Sequence, residues 1–103
     1  MGQDPRIFTD AYQLSVTVFH RTRNYTKQLR PTLGRRLEEA SLDLLLAVKL
    51  ATVTRELSRR KQSLYQASER LDEIRLLLQL SYDMQALAPA GYAEMSETTA
   101  VVG

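Results

Sequence analysis

Apolar residues in the middle of this chain recur at every third or fourth position, and that period decides most of what the chain can fold into. Leu33, Leu37, Ala40, Leu44, Ala47 and Ala51 form one such series, the mark of one face of an α-helix. Leu42, Leu45, Leu46, Val48, Leu50 and Val53 fill further sides, so more than half of the circumference is apolar. A helix on the edge of a small bundle needs only one stripe. The surplus predicts a helix over about residues 33–57 that is covered twice, by its own bundle and by a second subunit.

The same period extends on both sides. Phe8, Ala11, Tyr12, Val16 and Phe19, with Leu14 and Val18 on a neighbouring stripe, predict a first helix over about 8–25, capped by Thr9 or Asp10. The run Val16–Phe19 would also suit a strand, but nothing else in the chain offers a pairing partner. Pro31 should end that helix, because it lacks an N–H and pushes Arg30 out of helical geometry. Thr32 then serves as the cap of the second helix, and Gly34 marks close packing. Ser63 and Gln66 match a capping box and predict a third helix over about 64–87, built on Leu64, Ala67, Leu71, Ile74, Leu78 and Ser81. Pro89 and Gly91 interrupt again, and Tyr92, Met95, Thr99 and Val102 outline a fourth, short helix over about 90–102. Residues 1–6 read as a disordered start. The whole is one all-α domain, an antiparallel up-down four-helix bundle with a short fourth helix. Neither internal repeats nor low-complexity tracts interrupt it.

Composition removes several function classes. The chain has 103 residues, one domain's worth, and no cysteine, so it has no disulfide, thiolate metal site or thiol nucleophile. That suits the cytoplasm. No signal peptide is visible, and Arg6 stands where a myristoylation signal wants Ser or Thr. The longest apolar run, Leu44–Val48, falls far short of the roughly 20 residues that a membrane span needs. His20 is the only histidine, so no cofactor or transition-metal cluster is expected. Glu38–Glu39 and Asp72–Glu73 are sequence neighbours on helices and point ~100° apart, so neither pair converges on one substrate atom. Serines and threonines lack a partnered base, and there is no glycine-rich phosphate loop. An enzyme is not expected.

Charge is distributed unevenly although the net is only +2. From Ala11 to Leu37 there is no acidic residue, while Arg21, Arg23, Lys27, Arg30, Arg35 and Arg36 fall in that stretch. A second basic group is Arg55, Arg59, Arg60 and Lys61; from Glu69 onward acids outnumber bases. The ten cations are the candidate contact residues, since such asymmetry suits a polyanion or an acidic partner. They would sit at opposite ends of helix two, ~35–40 Å apart from the rise per residue. Symmetric copies would turn each group into a ring or belt matched to a phosphate backbone. Tyr25, between Arg23 and Lys27, could stack on a base or pack under its loop.

Two segments resemble a known family. Leu29–Leu45 contains Thr32, Leu33, Gly34, Leu37 and Ala40 in a Thr-Leu-Gly-x-x-Leu-x-x-Ala pattern, and Ala67–Leu80 contains Arg70, Leu71, Arg75, Leu77, Leu78 and Leu80 in an Arg-Leu-x-x-x-Arg-x-Leu-Leu-x-Leu pattern. Together they resemble the accessory variability determinant (Avd) proteins of diversity-generating retroelements, within a four-helix-bundle group that includes the ribosomal-RNA intervening-sequence proteins. The resemblance covers roughly residues 8–95. It implies a homopentamer that binds a reverse transcriptase and its template RNA or RNA–DNA hybrid, supports mutagenic copying, and catalyses nothing itself. Family members usually carry a longer fourth helix with a tryptophan near its end, and this chain has neither, which bears on the pentamer more than on the bundle. The alternative is a self-associating bundle of the intervening-sequence type with no retroelement role.

Overall fold

The computed structural model describes residues 6–103, and the described residues form four α-helices and no strand. α1 spans Arg6–Thr22, α2 Arg35–Val53, α3 Leu57–Asp83 and α4 Pro89–Val102. Residues 1–5 of the predicted disordered start lie outside the described residues, and Arg6 already belongs to α1. α1 therefore starts ahead of Thr9 and Asp10, and neither caps it. It runs straight through Val16–Phe19, which excludes the strand. Its buried side is the Ala11, Leu14, Ser15, Val18, Thr22 stripe, while Tyr12 and Phe19 face outward, Tyr12 54% exposed. Small polar residues explain the choice. Ser15 and Ser41 let α1 and α2 approach, and Ser15 Oγ donates to the Ser41 carbonyl at 3.2 Å, which bulky Tyr12 and Phe19 would prevent.

Pro31 does not end a helix here; it widens one. The chain leaves α1 at Thr22, turns, and restarts at Thr26, whose Oγ1 accepts the Leu29 N–H at 3.3 Å while its carbonyl accepts the Arg30 N–H at 2.8 Å. Thr26 is thus the capping residue, three positions before the first side-chain-capped N–H. A single π turn, Arg30–Gly34, follows, with the Gly34 N–H bonded to the Leu29 carbonyl at 3.0 Å. Proline has no N–H and crowds the carbonyl four residues back; a five-residue spacing relieves that crowding. Thr32, the expected cap, instead donates its hydroxyl to the Gln28 and Leu29 carbonyls.

Boundaries around α3 also differ from the expectation. α2 stops at Val53 rather than residue 57, where Thr52, Val53 and Thr54 bring consecutive β-branched side chains. α3 starts at Leu57, so Ser63 is a buried interior residue and the Ser63–Gln66 capping box is not used. The helix ends at Asp83, four residues early. There Gln85 takes the left-handed conformation at φ 63°, the Gln85 N–H bonds the Tyr82 carbonyl, and the Ala86 N–H bonds the Ser81 carbonyl. That pair of bonds is the Schellman termination. Leu87, just beyond it, is buried in the core. α4 opens on Pro89 at its first position, where a missing N–H costs nothing.

In α2 and α3 the interior is where the periodicity placed it, whereas in α1 it lies on the neighbouring stripe. Leu33, Leu37, Ala40, Leu44, Ala47 and Ala51 are all buried, as are Ala67, Leu71, Ile74, Leu78 and Ser81. Leu64, expected with them, is exposed at 41%. α1 packs on α2 and α4, and α3 packs on the same two helices. Leu14, Leu37, Leu44, Ile74, Leu78 and Met95 form the sealed centre, each burial worth about 1.5–3 kcal/mol.

Candidate nucleic-acid interface

The ten basic candidates do not form one surface. Six surround the π turn at the start of α2 and four surround its end, and the run from Arg30 to Val53 holds the groups roughly 35 Å apart at ~1.5 Å per residue. Their electrostatic states differ within each group.

At the first end, three cations are already engaged. Arg21 grips Glu94 of α4 through Nη2 at 2.6 Å and Nε at 2.7 Å. Arg36 reaches across to Glu73 of α3 at 2.8 Å, and that carboxylate raises the Arg36 pKa. Arg35 pairs with Glu39 along its own helix at 3.4 Å. Arg23, Lys27 and Arg30 are exposed and make no ion pair among the described residues. They fall within eight consecutive residues, inside the stretch without an acid. Thr26 and the π turn hold that segment in a folded corner rather than a free loop.

At the second end, Arg59 lies 3.7 Å from Glu56. Arg60 donates its Nε to the Thr54 carbonyl at 3.1 Å, so it closes the α2–α3 reversal instead of facing solvent. Arg59, Arg60 and Lys61 belong to the opening turns of α3 and not to a polar connection. Arg55 and Lys61 are exposed and make no ion pair among the described residues. This end is also apolar: Leu50, Val53, Leu57, Leu64 and Tyr65 are all more than 40% exposed.

Tyr25 does not offer a stacking face. Its ring is 5% exposed beneath the α1–α2 corner, its Cδ2 near Gly34. Burial raises its phenol pKa, opposed by the Ser81 hydroxyl that it faces. Neither hydroxyl completes a well-formed hydrogen bond. Between Phe19 and Leu42 no large hydrophobic side chain is exposed.

The remaining polar candidates resolve into structural contacts. Glu38 accepts from Thr22 Oγ1 at 2.5 Å and Glu39 turns to Arg35; Asp72 holds Arg75 at 3.2 Å and Glu73 holds Arg36. Each adjacent pair therefore diverges, as the helical angle requires. His20 is exposed in a shallow polar cleft with Gln13, Thr17, Asn24 and Glu94. Among the described residues no group of three or more potential metal ligands comes together. Among the described residues no helix is long and apolar enough to cross a membrane.

One surface was half-visible in the sequence. Leu42, Leu46, Leu50 and Val53, at spacings of four, four and three, are 42–59% exposed on the side of α2 away from its buried stripe. This is the excess apolar circumference seen in the periodicity, and it stays exposed among the described residues. The link between Arg21 and Glu94, 73 residues apart, carries no local signal and could not be anticipated. Compared with known proteins, the chain matches no family model and shows no significant similarity to a curated protein.

Proposed function

We propose that this chain is a non-catalytic accessory protein of a diversity-generating retroelement, binding reverse transcriptase and template RNA, or the RNA–DNA hybrid, to support mutagenic reverse transcription. The observation that carries the reading is the acid-free stretch from Ala11 to Leu37, whose Arg23, Lys27 and Arg30 remain unpaired among the described residues. A phosphate backbone supplies the missing counter-charge. The Thr32–Ala40 and Arg70–Leu80 patterns support the same reading by their resemblance to Avd proteins.

The finer architecture belongs to this proposal. We read the helices as an antiparallel up-down bundle with a short fourth helix. Lys49 near the end of α2 lies over the Phe8 ring near the start of α1, while Thr22 at the end of α1 meets Glu38 near the start of α2. Arg21 meets Glu94 near the start of α4. The α2 stripe of Leu42, Leu46, Leu50 and Val53 supports self-association, with a homopentamer as the assembly that the resemblance implies. The protein acts in the cytoplasm, without cofactor or membrane.

A second reading rests on that stripe alone: a self-associating bundle of the intervening-sequence type, with no retroelement role. Light scattering with and without a structured RNA, at low and high salt, separates the two. A particle of about five chains that binds RNA at low salt and releases it at high salt supports the first reading. Self-association with no affinity for RNA at low salt selects the second. Capture of the reverse transcriptase by the tagged protein tests the polymerase contact separately.

A further inference from the structure

We infer that the two basic ends divide their work: the α1–α2 corner, through Arg23, Lys27 and Arg30, makes the nucleic-acid phosphate contact, and the α2–α3 end does not. The inference rests on the RNA-binding half of the proposed function and assigns it to one place. Sequence alone made all ten cations equal candidates. Their partners separate them.

A cation that already holds a carboxylate must give up that partner before it can hold a phosphate. Arg21, Arg35, Arg36 and Arg59 are in that position, and Arg21 and Arg36 would also release inter-helix bridges to α4 and α3. Arg60 is committed to the Thr54 carbonyl. Displacing any of these five exchanges one favourable contact for another and yields little net affinity. Arg23, Lys27 and Arg30 have nothing to surrender, and the acids that reach this end, Glu38 and Glu94, are held by Thr22 and Arg21.

The chemistry around the corner points to nucleic acid rather than an acidic protein surface. Protein interfaces rely on apolar or aromatic anchors at their centre. The cationic segment itself has none: Tyr25 and Leu33 are buried and no large hydrophobic side chain over residues 20–41 is exposed, although Phe19 on α1 and Tyr82 and Met84 at the end of α3 are. Charge without an anchor suits a uniform polyanion, which is held by counterion release. The opposite end has the reverse make-up. Arg55 and Lys61 stand beside exposed Val53, Leu57, Leu64 and Tyr65, a mixture typical of protein contacts.

The experiment compares two triple variants of the full chain, Arg23→Gln/Lys27→Gln/Arg30→Gln and Arg55→Gln/Arg59→Gln/Lys61→Gln. Fluorescence anisotropy follows an unstructured RNA oligonucleotide across a salt series, and circular dichroism checks that both variants keep their helices. The corner variant is expected to lose at least tenfold in affinity at low salt. The slope of log K against log salt should flatten by about 2 for each protomer engaged, from ~0.7 per phosphate on a single strand. The second variant is expected to bind as the parent does. The charge-conserving Arg23→Lys/Arg30→Lys chain should retain binding, which separates lost charge from a damaged corner. If the second variant loses affinity and the corner variant keeps it, the assignment is overturned while RNA binding stands. If poly-glutamate competes as well as RNA at equal charge, the corner is an acidic-protein site and the assignment is also overturned. If the parent chain binds no RNA at low salt, the RNA half of the proposed function fails and takes the assignment with it.

Discussion

Tyr25 and Gly34 show how a single residue's surroundings set its role. Gly34 is buried beside Thr22 and Tyr25, and its place three residues after a proline suggests a site that only glycine can fill. A methyl group there would instead lie 3.5 Å from both the Thr22 Cβ and the Tyr25 Cδ2, ordinary van der Waals distances. Its backbone is helical at φ −60°. Gly34→Ala should therefore stabilise the fold by about 0.5–1 kcal/mol through helix propensity, read as a rise in thermal midpoint. Tyr25 is a buried titratable group whose environment opposes its charged form. Its folded pKa lies above 10.0, so the folded state holds the phenol proton more tightly than the unfolded chain. That stability is complete below pH 10 and falls as the pH rises through and beyond it. Tyr25→Phe should flatten this alkaline decline in urea melts. At neutral pH it should cost less than about 1 kcal/mol, because the hydroxyl it removes has no well-formed bond to lose.

At the level of the elements, helix interiors could be read from the sequence and helix ends could not. The alternation of Leu37, Ala40, Leu44, Ala47 and Ala51 fixes a face because burial rewards every position in it. An end depends on a few hydrogen bonds, and several residues can supply them. Thr26 and Thr32 are equally good caps by composition; the π turn around Pro31 selects Thr26. Ser63 and Gln66 match a capping box, yet Leu57 starts the helix seven residues earlier because its following residues are good helix formers. In α1 two apolar stripes lie side by side, and the small Ser15–Ser41 contact with α2 decided between them. The end of α3 is the least expected: the left-handed position of a Schellman motif usually falls to glycine, and here it is Gln85. Gln85→Gly should remove the strain of that conformation and stabilise by about 1 kcal/mol, provided that the added flexibility of the unfolded chain does not offset it. Chemical denaturation at neutral pH measures the difference.

On the scale of the molecule, cations were visible in the sequence but their availability was not. Arg21 and Arg23 are two residues apart and equally basic; one is bound to a carboxylate from a distant helix and the other is open. Such pairing across the fold depends on how α4 settles against α1, which no local pattern encodes. That docking has a consequence of its own. α4 is 14 residues long, carries β-branched Thr98, Thr99, Val101 and Val102, and is tied to α1 by an ion pair half open to solvent. It is therefore the part of the fold that should open first without the rest unfolding. Amide protons of α4 are expected to exchange with deuterium faster than those of α2 and α3, and added salt, by screening Arg21 from Glu94, should widen the gap. Each such opening would expose Met95 and the flank of Leu14 and Leu78 while α1, α2 and α3 stay together, so the chain would spend a small share of its time as a three-helix molecule with an unfilled side.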